Sequence, residues 1–207
     1  MKLLLANPNT STSVTDRIAA VARAVASPGT EIVAAFADPG LGGAREIMPI
    51  PVIGMAEAAM LTACMLGRRF SIVTFSGALG PWYRECVEYH GLTSRLAAIR
   101  FIDAPFGGVE TVQIELQEAI VTLCRRTVAE DEADMVVLGG APLAGLARLI
   151  ADRVPVPLID GVEAAVLQAE TMVRLDLRKA TEGSFRRPAA KPAIGLPPAL
   201  IRLLDWS

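Results

Sequence analysis

Small polar residues follow the apolar runs of this sequence at several points where a helical pattern begins. The clearest case is NPNTSTS, residues 7–13, which places amides and hydroxyls directly before a helix. Free N–H groups and the helix dipole both favour negative charge at such a position. We therefore expect Asn7, Asn9 and Thr10 to bind a small anionic substrate. Capping of the following helix alone accounts for the same residues equally well.

A second polar segment, TFSGALGPW at residues 74–82, follows another apolar run. Thr74 and Ser76 flank the predicted end of a strand, and Gly77 allows the backbone to approach a ligand closely. We expect these three residues to line the same substrate pocket as the first segment.

Two further segments have the same arrangement. LGGAPLAG, residues 138–145, offers backbone N–H groups at Gly140 and Ala141 that suit a carboxylate or an oxyanion. In LIDGV, Asp160 is either an acid–base group or the cap of the next helix.

Asp38 and Ser76 are two further polar side chains near predicted strand ends that are candidates for chemistry. Asp38 lies in an Asp-Pro-Gly turn directly after an apolar run. A carboxylate with the usual pKa of about 3.9 is a weak base at pH 7, so Asp38 would need desolvation. The sequence shows no evident base partner for Ser76, so its hydroxyl suits a hydrogen-bond donor better than a nucleophile.

The elements that must position these residues alternate along the chain. Strands separated by helices predict an α/β fold of parallel sheets flanked by helices. The predicted strands are Leu3–Ala6, Thr30–Phe36, Pro51–Met55, Ser71–Phe75, Ala97–Ile102, Met135–Leu138 and Val156–Ile159. The predicted helices are Val14–Ala26, Ala56–Leu66, Pro81–Tyr89, Val109–Ala129, Leu143–Arg153, Val162–Leu175 and Pro198–Leu204.

Composition narrows the classes of partner. The 207 residues are 52% hydrophobic, which suits strands buried on both faces, and the net charge of −2 gives no electrostatic case for nucleic acid.

No segment reaches about 18 consecutive apolar residues, so we expect no membrane span. The apolar run at the N-terminus is too short for a signal peptide, and three cysteines without metal-like spacing fit a reducing compartment. We therefore expect a cytoplasmic protein.

Four motifs, in order, resemble one enzyme family. NPNTS, DPGL followed by AREI, PVIGMAEAAM and VPLIDGVEAAV are similar to the hydantoin racemase branch of the aspartate/glutamate racemase superfamily, over nearly the whole chain. The resemblance implies two similar lobes with a cleft between them, residues 1–76 with 178–207 as the first and 77–177 as the second. It also implies that no metal or organic cofactor is needed. In this family a pair of cysteines, one per lobe, removes and returns a proton next to a carbonyl or carboxylate.

The chain departs from this pattern at both expected cysteines. Ala35 stands before FADPGL and Gly140 follows VVLG, and neither residue can carry a proton. A thiol, with a pKa of about 8.5, serves as acid or base near neutrality, so its loss alters the expected chemistry. The cysteines that are present fall inside predicted helices and are expected to fill the core: Cys64, Cys86 and Cys124.

The first lobe is also expected to be short. GTEIVAAFADPGL joins the start of one expected strand to the end of another, so that a βα unit of roughly 30 residues is missing. We expect so apolar and shortened a lobe to form a homo-oligomer. The helix Ala56–Leu66 is expected in the core, with an interface as the alternative, and His90 at the surface near a helix end.

Two functions remain open from the sequence. The first is an isomerase or a decarboxylase/lyase of this superfamily with altered catalytic residues, in which Asp38 or Ser76 handles the proton of a small carboxylate or cyclic imide. The second is a catalytically silent relative that binds a small anion or serves as an oligomer partner. The loss of both expected thiols and of part of one lobe argues for the second function, and the retained polar strand ends argue only against a loss of binding. We favour the first.

Overall fold

The computed structural model describes residues 1–4, 11–33, 38, 40–189, 195–198 and 201, with the backbone alone for residues 31–33. Asn7, Asn9, Thr10 and Ala35 lie outside the described residues, as does most of the predicted helix Pro198–Leu204. The roles given to them from the sequence stay predictions.

Two parallel sheets form the framework. The smaller sheet pairs β1 (Lys2–Leu4) with β2 (Glu31–Val33). The larger sheet has the strand order β4-β3-β5-β6, and its strands are β3 (Phe70–Thr74), β4 (Leu96–Phe101), β5 (Met135–Gly139) and β6 (Leu158–Asp160). All of these pairs are parallel.

Helices connect the strands and flank the sheets. They are α1 (Thr12–Val25), α2 (Leu41–Ile47), α3 (Met55–Leu66), α4 (Gly80–Tyr89), α5 (Val112–Asp131), α6 (Leu146–Ile150) and α7 (Gly161–Arg174). Single 3₁₀ turns lie at Gly77–Leu79, Thr93–Arg95, Ala141–Leu143 and Ala151–Arg153. The predicted α/β class, with parallel sheets flanked by helices, is confirmed.

The larger sheet is covered on both faces. Every residue of β3 and β5 is buried, which explains why both strands are mostly apolar rather than alternating. Successive side chains point to opposite faces. Ile72 therefore packs with the side chains of α1, α3, α4 and α7, whereas Val73 packs with those of α5 and α6. The end of β3 thus lies between two layers of helices, shielded from water.

Three elements differ from the sequence-based prediction. The predicted helix Leu143–Arg153 is the shorter α6, with a 3₁₀ turn on either side of it. The predicted strand Pro51–Met55 is wrong, because residues 51–54 are irregular and the chain enters α3 at Met55. Pro51 has no N–H group to donate to a strand ladder, and Gly54 serves as the N-cap of α3. Helix α2 was not predicted, since two glycines in LGGAREI give that segment a low helix propensity.

The pairing of β3 bears on the division into lobes. β3 pairs with β4 on one side and with β5 on the other. A boundary at residue 76 would separate β3 from both partners, so this strand belongs with the strands that follow it. The predicted lobes, residues 1–76 with 178–207 and residues 77–177, otherwise stay a prediction.

Helix α3 lies in the core, as expected for Ala56–Leu66. Ala58, Ala59 and Ala63 are fully buried, and these small side chains allow close packing against β5 and α7. Met65 and Leu66, at the end of the helix, are exposed. Among the described residues, no helix is both long and apolar enough to cross a membrane.

One buried carboxylate ties α7 to the turn between α1 and β2. Glu170 is 1% exposed, and its carboxylate accepts hydrogen bonds from Ser27 N (2.8 Å), Ser27 Oγ (2.6 Å) and Thr30 Oγ1 (2.8 Å). Burial acts to raise the pKa of Glu170, but these hydrogen bonds and the nearby Arg174 outweigh it, so the net pKa is lowered. The folded state therefore favours the ionised carboxylate.

We predict that Glu170→Gln lowers the free energy of unfolding by about 1–3 kcal/mol at pH 7, because an amide cannot accept all three hydrogen bonds. A lowered pKa gives stability that is present above the usual glutamate pKa of about 4.3 and is lost as the pH falls. The difference in the free energy of unfolding between variant and wild type should therefore become smaller at acidic pH. Urea titrations followed by circular dichroism measure both effects.

Glu118→Gln is the matched control, since Glu118 is exposed and its carboxylate pairs with Arg153 at the surface. Loss of this surface ion pair should lower the free energy of unfolding by less than about 1 kcal/mol. Equal stability of Glu170→Gln and wild type would contradict the structural role of Glu170.

Candidate active site

The carboxyl ends of β3 and β5 bring several predicted site residues together. Thr74, the last residue of β3, is in register with Gly139 of β5, so Gly140 follows beside it. Ser76 begins the 3₁₀ turn Gly77–Leu79, and its Oγ accepts a hydrogen bond from Ala78 N (3.3 Å). Ala141 is buried in the turn after β5. This edge is where ligands commonly bind in parallel α/β folds.

Two hydroxyls are buried at this edge. The side chain of Thr74 is fully buried, and that of Tyr83, from α4, lies against the backbone of Gly139. Neither Thr74 Oγ1 nor Tyr83 Oη has a hydrogen-bond partner among the described residues, and the same holds for His90 Nε2. We call these three the open polar atoms. Such atoms are rare in folded proteins, because an unsatisfied buried polar group costs about 1–3 kcal/mol.

Tyr83 was not singled out from the sequence. Burial, followed by the charges of Cys86 and Asp38, raises the pKa of its phenol, so the hydroxyl keeps its proton and is available as a donor. An aromatic residue on a predicted amphipathic helix gives no sequence signal beyond membership of the core.

Asp38 is held at the N-terminus of α3. Its carboxylate accepts hydrogen bonds from Ala56 N (3.2 Å) and Glu57 N (2.8 Å), and its side chain is 6% exposed. Free N–H groups and the dipole at this helix end stabilise the negative charge. Asp38 is thus largely removed from water, as a role in proton transfer would require, but two backbone donors replace the water.

Two side chains of α4 face the Asp38 carboxylate. The thiol of Cys86 donates a long hydrogen bond to Asp38 Oδ2, with an S···O distance of 3.9 Å, and His90 Nε2 lies 3.6 Å from the same oxygen. Burial, and then the charge of Asp38, raises the pKa of Cys86 to about 12. Cys86 is therefore a protonated thiol at neutral pH and fills the core, as predicted.

The predicted surface position of His90 is wrong. His90 is the C-cap of α4, as expected, but its side chain is only 8% exposed. Gly91 adopts a left-handed conformation with φ +69°, which ends the helix, and the neighbouring Tyr89 takes the exposed position instead.

A second carboxylate orients His90 from its other side. Glu57 Oε1 lies 3.4 Å from His90 Nδ1 and accepts a hydrogen bond of 2.9 Å from Arg45 Nη1. Arg45 forms a second bond to Glu57 through Nη2 and donates to Val52 O (3.0 Å). The charge of Glu57 is thus matched by Arg45, whereas the charge of Asp38 faces His90.

Asp160 is a helix cap. Its carboxylate accepts hydrogen bonds from Gly145 N (2.6 Å), Val162 N (2.8 Å) and Glu163 N (3.2 Å). Burial raises its pKa, and these three hydrogen bonds oppose that rise. Of the two roles left open by the sequence, capping of α7 is the one that the structure supports.

Gly140 occupies a backbone conformation that excludes most side chains. Its φ is +116°, and a Cβ placed there would lie 2.5 Å from Phe75 Cε1. The ring of Phe75 therefore fills the space that a side chain at position 140 would need. This is the position at which the sequence resemblance implies a cysteine.

The fold and the motifs agree with a direct comparison of sequences. The family model described as Asp/Glu/Hydantoin racemase matches residues 31–169, and the chain belongs to this family. The resemblance drawn from the motifs is thereby confirmed. The expected departures from the family, at Ala35, at Gly140 and in the length of the first lobe, stay predictions.

Particular relatives carry more specific names. The chain is 30% identical to the hydantoin racemase of Paenarthrobacter aurescens, over 92% of this chain and 99% of the relative. Among solved structures, the allantoin racemase of Klebsiella pneumoniae has a TM-score of 0.89 and 33% identity, covering 100% of both chains. The allantoin racemase of Pseudomonas fluorescens has a TM-score of 0.87 and 32% identity, over 94% of this chain and 100% of that one.

We predict that Gly140→Cys lowers the free energy of unfolding by about 2–5 kcal/mol. The variant combines a left-handed conformation that disfavours side chains with a clash against Phe75. Chemical denaturation under reducing conditions measures the loss. Gly43→Cys is the control, because Gly43 is exposed in α2 and has no atoms within 4 Å of an added Cβ. A Gly140→Cys variant as stable as wild type would contradict this description of the site.

A further prediction concerns the open polar atoms. Thr74→Val and Tyr83→Phe remove buried hydroxyls without changing side-chain shape, so each variant should be as stable as wild type, or more stable by up to about 1–3 kcal/mol. The same denaturation assay tests this. A loss of more than about 1 kcal/mol would mean that the hydroxyls are partnered within the fold.

Proposed function

We propose that this protein is a racemase-type isomerase that exchanges the proton on the carbon next to a carbonyl in a small hydantoin-type ring. Family membership supports the class of reaction, and the names of the relatives suggest hydantoins and allantoin as substrates. The observation that carries the proposal is the pair of open hydroxyls, Thr74 Oγ1 and Tyr83 Oη, at the carboxyl edge of the larger sheet.

The reaction needs hydrogen-bond donors for a developing negative charge. Loss of the proton next to a carbonyl yields an enolate, whose oxygen becomes negative as the transition state forms. The hydroxyls of Thr74 and Tyr83 are buried and positioned before the substrate arrives, so they do not have to reorganise. Because Ser76 Oγ accepts from Ala78 N, its hydrogen remains available as a third donor.

Asp38 is the proposed proton carrier. Its charge contributes to the raised pKa of Tyr83, so the carboxylate lies within electrostatic reach of the phenol. The raised pKa of Cys86 argues against a thiolate base at neutral pH. The predicted assignment of Asp38 and Ser76 thus carries over, with Tyr83 added as a donor.

The experiment measures deuterium uptake at C5 of single enantiomers of allantoin and of a 5-substituted hydantoin. Proton NMR in deuterated water follows the exchange, and circular dichroism follows inversion. Hydantoins exchange slowly without a catalyst, so a protein-free sample sets the baseline. We expect exchange above that baseline, together with loss of optical activity.

Variants identify the donors and the proton carrier. Thr74→Val and Tyr83→Phe should each lower kcat by about 10²-fold, which is the usual effect of losing one donor to an oxyanion. Asp38→Asn should abolish exchange. Thr171→Val and Tyr89→Phe, which remove exposed hydroxyls, should leave the rate unchanged.

The alternative function gives a different result. A silent anion-binding relative would bind these compounds without any exchange above the baseline. That result, or full activity of both Thr74→Val and Tyr83→Phe, would contradict the proposed function.

A further inference from the structure

We infer that Asp38, Cys86 and His90 form a binding site for a divalent metal ion of the zinc type. One carboxylate oxygen, one sulfur and one imidazole nitrogen converge there from two parts of the chain. Cys86 and His90 are four residues apart at the end of α4, so they share one face of the helix. Asp38 reaches them from the turn that precedes α2.

The spacing of the three ligand atoms suits such an ion. Asp38 Oδ2 lies 3.6 Å from His90 Nε2 and 3.9 Å from Cys86 Sγ, and all three atoms lie within 4.8 Å of one another. Tetrahedral zinc with ligands at about 2.0–2.3 Å places neighbouring ligand atoms roughly 3.4–3.6 Å apart. Modest side-chain rotations would close the remaining gap.

A second carboxylate lies behind the histidine, since Glu57 Oε1 is 3.4 Å from Nδ1. In the neutral tautomer that carries its proton on Nδ1, Nε2 is an acceptor that can bind a cation. A carboxylate behind a ligating histidine is the usual second partner in zinc proteins, and Arg45 holds Glu57 in place.

The open position of Nε2 is the independent observation. The side chain of His90 is more than nine-tenths buried, yet within the described part of the chain Nε2 has no hydrogen-bond partner. In that tautomer, Nε2 and Asp38 Oδ2 are two acceptors that lie 3.6 Å apart. A cation between them would satisfy both.

The set of ligands also selects the class of ion. One nitrogen, one sulfur and one oxygen donor suit zinc or cobalt better than magnesium or calcium, which prefer oxygen alone. Three protein ligands leave a fourth position open for water. The cysteine spacing in the sequence gave no sign of this site, because Asp38 is far from Cys86 along the chain.

The test uses Co²⁺ as a spectroscopic probe on the full chain, after treatment with EDTA and under reducing conditions. Cobalt binding should release the thiol proton of Cys86 to solvent and give a thiolate-to-cobalt charge-transfer band at one equivalent per chain. Zn²⁺ should displace the cobalt and remove the band. Cys86→Ser should abolish the band, and His90→Gln should weaken cobalt binding at least tenfold. The controls Cys64→Ser and Cys124→Ser change thiols outside the cluster and should keep the band.

A measurement of stability guards against misfolded variants. Zn²⁺ should raise the Tm of the wild type and of Cys124→Ser, but not that of folded His90→Gln, because an ion that binds only the native state stabilises it. Absence of the cobalt band in the wild type, or its persistence in Cys86→Ser, would overturn the inference.

The metal site does not depend on the proposed racemase activity, although Asp38 takes part in both. A bound ion would withdraw this carboxylate from proton transfer, so Zn²⁺ should slow the exchange reaction at least tenfold and EDTA should restore it. Exchange that is absent even in metal-free protein would contradict the proposed function alone. Cobalt that fails to bind would contradict the metal site alone.

Discussion

A buried polar atom without a hydrogen bond destabilises the folded state by about 1–3 kcal/mol, and folded proteins contain few such atoms. Three such atoms, Thr74 Oγ1, Tyr83 Oη and His90 Nε2, occur among the described residues of this protein. Thr74 and Tyr83 both lie beside Gly139 at the end of β5. His90, which is on the same helix as Tyr83, faces Asp38. The rest of the account depends on this concentration of unsatisfied groups in one region.

The fold creates the region by its topology. β3 lies between β4 and β5, and helices cover both faces of the sheet, so the end of β3 is dry. Helix α4 is the helix that follows β3, and it places Tyr83 against Gly139. Because Gly139 has no side chain, there is room for the phenol. Helix α3 contributes its N-terminal N–H groups to Asp38. Each of these elements is held by apolar packing, which allows a polar cluster to persist in the core.

Much of the framework could be predicted from the sequence. The strands at β3 and β5 are continuous buried runs, and the family motifs give the order of the elements, so the class of fold followed directly. The local details were harder to predict from the sequence. Two glycines gave α2 a low helix propensity, so it was not predicted. The apolar pair Val52 and Ile53 led to a predicted strand, although Pro51 and Gly54 keep this segment irregular. The side chains of α4 were harder still, because a sequence shows that Tyr83, Cys86 and His90 share a helix but not which carboxylate lies opposite. Cys86 and His90 contact Asp38, which lies far from them along the chain, so no local pattern reveals this arrangement.

The central claim is that the open hydroxyls of Thr74 and Tyr83 exist to bind a ligand, and thermodynamic linkage tests it most directly. A non-reacting hydantoin-type compound that binds the native state must raise the free energy of unfolding in proportion to its affinity. We expect a clear rise for the wild type at saturating ligand, and a rise smaller by about 1–3 kcal/mol for Tyr83→Phe and for Thr74→Val. Equal stabilisation of all three proteins would contradict it.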